Sequence, residues 1–191
     1  MKQVHASFRA LADSTASDWE LLTKAFVPFL NDLPNRILSQ MGELAHDHGG
    51  FPVNRLEHCL QTATRAYQGG QDEEYVVCAL LHDIGDILAP ATHADLAATI
   101  LKPYVSPENH WMVEKHGIFQ GYYFFHHIGL DRNMRDQFSG HQWFERTAEF
   151  CEKYDQPSFD PEFDSMSLED FAPMVCRVLS ADRLMAKGPE A

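Results

Sequence analysis

The sequence predicts an all-α protein, a single helical bundle with a polar cluster held between its core helices, and three observations lead there. Apolar residues recur at helical spacing in one segment after another. Gly and Pro fall singly at the ends of those segments. No stretch alternates with the period of two that a half-buried strand requires.

Taken in order, residues 1–16 read as a peripheral arm, followed by Ser17-Asp18 as N-cap candidates for a helix reaching Leu30, with Pro28 near its end. A second helix covers Pro34 to His46 and stops at Gly49-Gly50. Asn54 caps a third through Tyr67, which Gly69-Gly70 ends. Asp72 caps a fourth, Glu73 to His82, whose run YVVCALL is almost wholly apolar and therefore central. A shorter helix starts near His93 and ends before Pro103. Ser106-Pro107, a cap followed by proline in the first turn, opens a helix through His116 or further. Another spans Gly140 to Tyr154, and Ser167 opens the last, with Glu169 and Asp170 in the first turn where the helix dipole favours acids.

A chain of 191 residues, 45% hydrophobic and 23% charged, suits one soluble folded domain. Its net charge of −13 argues against general binding to nucleic acid or anionic membrane, since both need basic patches that displace counterions. No run approaches the roughly 20 apolar residues that cross a bilayer, and MKQVHASFRALADS lacks the apolar centre of a signal peptide, so a cytoplasmic location is expected. Cys59, Cys78, Cys151 and Cys176 show no paired spacing and read as reduced.

The polar groups within or at the ends of apolar helices are, in chain order, His58, His82-Asp83, His93, His116 and Asp155. A carboxylate and an imidazole closing the most apolar helix are costly to desolvate unpaired. A metal removes that cost, because both groups are ligands that suit Fe, Zn, Mn or Ni. Adjacent side chains on a helix diverge by about 100°, so His82 and Asp83 do not act on one ion as histidines four apart do, and the carboxylate is better placed to bridge two. His5, His46, His110 and His141 read as surface or satisfied core residues.

Leu81-His82-Asp83-Ile84-Gly85, with His58 lying 24 residues before His82, resembles the HD superfamily of helical metal-dependent phosphohydrolases, one branch of which consists of mixed-valent di-iron oxygenases. The resemblance runs from Gly50 to Pro157. His93 and His116 are similar to the third and fourth histidines of the oxygenase branch, which contains myo-inositol oxygenase and the enzymes that cleave the C–P bond of hydroxylated aminophosphonates. Asp155, in EFCEKYDQP, resembles the closing aspartate of that branch, and Asp182, in LSADRL, competes for the place. The resemblance implies two Fe ions, with Mn, Zn or Ni as alternatives: His58, His82 and Asp155 on one, His93 and His116 on the other, and Asp83 between them. It also implies a small-molecule substrate and O2 as partners, and cleavage of a C–P or C–C bond at a hydroxylated carbon. A phosphomonoesterase or nucleotidase on the same fold is the alternative, and needs only His58, His82, Asp83 and a late aspartate. A binding protein with a vestigial site is a third reading.

The chain also departs from its relatives. His48 and Phe51 stand where some C–P-cleaving members place a gating tyrosine and glutamate, respectively. Asp86 replaces a basic residue, which points to recognition of an amine or quaternary ammonium, or to proton transfer in a catalytic role. Gln120 occupies the place of a substrate-binding lysine. His127, from the pair His126-His127, is a further candidate for contact with substrate, and Arg55, Arg132 and Arg135 are candidates for clamping an anionic group.

Overall fold

Four of the expected caps are formed: Asn54, Asp72, Ser106 and Ser167 each accept a backbone N–H from three residues on, at 2.8, 2.9, 3.3 and 3.2 Å. They open α3 (Arg55–Gln68), α4 (Glu73–Leu81), α6 (Pro107–Phe124) and α8 (Leu168–Val178). The computed structural model describes residues 5–187 and places no strand among them. The remaining helices are α1 (Ala16–Asn31), α2 (Leu33–Glu43), α5 (His93–Leu101), α7 (Phe144–Phe150) and α9 (Ala181–Lys187).

Helix α4 is the centre of the bundle, since every residue from Tyr75 to Leu81 is buried. Helix α3 lies along it, α6 and α8 pack on its other sides, and α5 lies on α6. A contiguous apolar cluster runs from Ile37 on α2 to Leu179 after α8. No helix among the described residues is long and apolar enough to cross a membrane.

Several boundaries differ from the sequence reading. Thr15, not Ser17-Asp18, caps α1, through a reciprocal bond pair with Asp18. Pro28 lies inside α1, because a proline this close to the end leaves few helical hydrogen bonds to break. Of the expected arm, residues 1–4 lie outside the described residues, and the rest to Thr15 has no buried side chain. Helix α1 buries none either, with Trp19, Phe26 and Phe29 exposed on it.

The segment expected as a helix from Gly140 starts later, at Phe144, because Gly140 adopts a φ of +87° that no helix contains. It then widens after Phe150 into one π-helical turn, Cys151–Asp155. Such turns shift the register of every side chain beyond them. The last segment is two helices, since Leu179 leaves helical geometry between α8 and α9.

Candidate metal centre

Six segments converge on one point. Helix α3 supplies His58, the end of α4 supplies His82, the turn after it Asp83, the first residue of α5 His93, the middle of α6 His116, and the π turn Asp155. Gly85 lets the two nearest segments meet, because a Cβ there would fall 2.6 Å from the carbonyl oxygen of His93.

Asp83 divides the cluster in two. Its Oδ2 stands 3.4 Å from His58 Nε2 and 3.3 Å from His82 Nε2. Its Oδ1 stands 3.3 Å from His93 Nε2 and 3.1 Å from His116 Nε2. Asp155 joins the first set only, with Oδ1 at 3.2 Å from His58 Nε2 and 3.6 Å from His82 Nε2. Two ligands about 2.1 Å from one ion stand roughly 3.0–3.4 Å apart at octahedral or tetrahedral angles, so these groups could hold an ion between them.

The donor set fits metal on chemical grounds as well. The Nδ1 atoms of His58, His82 and His116 lie 2.9, 2.8 and 2.7 Å from the carbonyl oxygens of Ser158, Ala79 and Val113, which can only accept. Their Nδ1 protons are thereby committed, and the Nε2 lone pairs point inward. His58 and His82 bring two such atoms within 3.2 Å of each other, and His93 and His116 bring theirs within 3.3 Å. Facing lone pairs need a cation between them. Asp155 Oδ2 is buried with no hydrogen-bond partner, although Gln120 Nε2 donates to Oδ1 at 2.7 Å.

The electrostatics state the same demand. Burial alone would lower His58, but hydrogen bonds to Asp155 and Asp83 outweigh it and push the imidazole up to about 9. His82 is raised in the same way, against its burial, by Asp83 and Asp155. Burial would raise Asp83 and Asp155, yet the surrounding histidines hold both below the usual carboxylate range. The cluster therefore calls for positive charge, from protons or from metal.

Above it opens a cavity of about 260 Å³ whose wall includes Phe51, Arg55, Asp83, Asp86, His93, Gln120 and Phe159. Asp86, expected to recognise an ammonium group or to move a proton, is engaged: Oδ2 accepts from Arg55 Nη1 and Oδ1 lies 3.4 Å from His93 Nδ1. Burial and the nearby Asp83 raise its pKa. Arg55 is spoken for twice, since its Nε also donates to Asp47 at 2.7 Å. Arg55 thus faces two carboxylates, while Asp86 keeps Oδ1 turned to His93 and away from the guanidinium.

Other expected residues fall elsewhere. His127 is exposed on a 3-10 turn, outside the cavity wall, and Arg132 and Arg135 stack on the ring of Tyr122 at 4.1 and 3.8 Å. Asp182 lines a separate recess with Asn31, Pro34 and Cys176, so of the two competing aspartates only Asp155 reaches the histidines. His48 is exposed and does not line the cavity, while Phe51 does and stacks on Phe159 at 5.1 Å. Sequence reasoning missed Ser158, Phe159 and Gln61. Phe159 stacks on the His58 ring at 4.3 Å, and no periodic pattern marks a residue in an irregular segment 100 positions away.

Residues 55–137 match the family model of the HD domain, a span that holds all four histidines and Asp83 and stops before Asp155. A stretch of 36 residues, 19% of the chain, is 64% identical to the 1-hydroxy-2-(trimethylamino)ethylphosphonate dioxygenase (glycine-betaine-forming) of Leisingera caerulea. The match covers 18% of that relative's own length.

Proposed function

We propose that this chain, which carries an HD domain over residues 55–137, is a di-iron oxygenase that uses O2 to break the C–P bond of a small hydroxylated phosphonate bearing an amino or quaternary ammonium group. One observation carries the reading: the two oxygens of Asp83 each face a separate pair of histidines. His58, His82, Asp155 and Asp83 would hold one iron, and His93, His116 and Asp83 the other. When bound, the pair supplies redox equivalents for O2 and Lewis acidity for the substrate's oxygens.

The chain's own residues do the rest. The cavity wall offers no cation free of a carboxylate, because Arg55 lies between Asp47 and Asp86. An anionic phosphonate would find its positive charge at the metal, and the ammonium end would turn to Asp86 and the phenyl rings. Phe51, Val53, Pro90, Phe124 and Phe159 line the same cavity and exclude water from the reacting carbon. A volume of about 260 Å³ lies below the roughly 300–1,000 Å³ of pockets for drug-sized ligands, which suits a metabolite. In the net reaction the hydroxylated carbon becomes a carboxylate, phosphorus leaves as inorganic phosphate, both atoms of O2 are consumed and one proton is released. The resemblance of a 36-residue stretch to a phosphonate dioxygenase supports the same class.

A phosphohydrolase is the second reading, favoured by the completeness of the half formed by His58, His82, Asp83 and Asp155 on its own. The iron-loaded protein with 1-hydroxy-2-(trimethylamino)ethylphosphonate separates the two. The oxygenase releases phosphate in step with O2 uptake and none under argon. Phosphate released from simple monoesters under argon, with no O2 uptake on the phosphonate, would establish the hydrolase instead.

A further inference from the structure

The four histidines are not held alike. His82, His93 and His116 each have Nδ1 beside the carbonyl three residues earlier in their own segment, at Ala79, Pro90 and Val113. His58 has no such local partner. Its Nδ1 donates to Ser158, 100 residues away, in an irregular segment that follows the π turn.

That segment is stitched to α3 side chains on one helical face. Gln61, one turn after His58 and fully buried, donates from Nε2 to the Asp160 carbonyl at 2.7 Å and accepts the Asp160 N–H on Oε1 at 3.2 Å. Glu57 accepts from Ser165 Oγ at 2.8 Å, and Thr64 Oγ1 accepts from Met166 N–H at 3.0 Å. On its other side Ser158 is tied back to the π turn, where its N–H donates to the Asp155 carbonyl at 3.0 Å. Phe159 thus hangs between two anchors, with its ring against His58 at 4.3 Å and 16° from parallel. Of the contacts from α3 side chains to this segment, the Gln61 pair is the nearest to Ser158 and Phe159, apart from His58 itself.

We propose that Gln61 is the positioning residue of the half-site built from His58, His82 and Asp155: by fixing the Asp160 peptide it holds the Ser158 carbonyl and the Phe159 ring on His58, so that Nδ1 keeps its proton and Nε2 stays turned to the metal. This rests on the reading of the cluster as a metal pair. Without the clamp the carbonyl drifts, His58 can carry its proton on Nε2 instead, and the lone pair is lost to the ion. The half built from His93 and His116 is untouched, because its imidazoles lean on their own segments.

The substitution to make is Gln61→Met, which fills the same volume without either hydrogen bond. Partners beyond the ligands themselves typically set metal affinity by a factor of about 10–100. Titration of the metal-free wild type and Q61M with Fe(II) or Zn(II), read by calorimetry and by metal analysis after gel filtration, is the experiment. Two sites in the wild type and one weakened site in Q61M, by about tenfold or more and with the other unchanged, is the expected result. Equal affinity at both sites in Q61M overturns the proposal, and so does an equal loss at both, which would make Gln61 a residue of general stability. A wild type that binds fewer than two metals would overturn the metal-pair reading itself, not the role of Gln61 alone.

Discussion

The two halves of the cluster differ in how they meet solvent. In the half formed by His58, His82 and Asp155 the side chains are 6%, 0% and 0% exposed, and Phe159 and Gln120 close over them. In the other half His116 is as buried, but His93 is 28% exposed at the cavity wall and only three protein ligands converge. A closed half with four ligands is suited to retaining an ion. An open half with three leaves positions for substrate or O2, as catalytic metal sites do. On the proposed reading one short motif would serve both tasks, because Asp83 faces each half at once.

The severest way to break the comparison is to remove the shared group. Asp83→Ala should empty both halves, taking the metal count from two per chain to below one and lowering O2-dependent phosphate release at least about a hundredfold, as metal analysis and phosphate assay would show. His93→Ala cuts less deeply. It should leave one metal in the closed half and abolish oxygen chemistry, whereas retained turnover with a single metal would favour the hydrolase.

How much of this was legible in the chain follows the same division. The caps at Asn54, Asp72, Ser106 and Ser167 and the apolar run before His82-Asp83 are local signals, and they placed four helices and, with them, His58, His82, Asp83 and His116, four of the six clustered residues. Asp155 stood with the other polar groups at helix ends and took the closing place by resemblance, with Asp182 as an open rival until tertiary structure separated them. The π turn that aims Asp155 has no sequence signature here, because it depends on how α7 packs. Gln61 reads as one more polar residue on an amphipathic helix; its partner lies 99 residues on, in a segment without periodicity. The pairing of Asp86 with Arg55 was not legible, because the chain does not show that a residue 31 positions earlier turns toward the same point.

Smaller changes sharpen the open half. Asp86→Asn removes the charge that holds Arg55 and faces His93. KM for a quaternary-ammonium phosphonate should rise about tenfold, roughly 1.4 kcal/mol, with the metal count unchanged. An unaltered KM would place ammonium recognition elsewhere in the cavity.

The mildest effect is on pH. His58 is raised from 6.5 to about 9 in the metal-free protein, so its contribution to stability is complete below pH 6.5 and is lost as pH rises through about 9. Metal binding requires the neutral imidazole and so tightens over the same interval. The gap in Tm between loaded and metal-free protein should therefore widen from pH 6.5 to 9, by a few degrees, and calorimetry at several pH values would detect a gap that stays constant instead.

The central claim is that Asp83 joins two ions, and one sample tests it. Protein loaded with iron and reduced with ascorbate is divided for metal analysis and EPR. The account predicts two irons per chain and the signal of an antiferromagnetically coupled Fe(II)/Fe(III) pair. One iron per chain with an isolated ferric spectrum would contradict it.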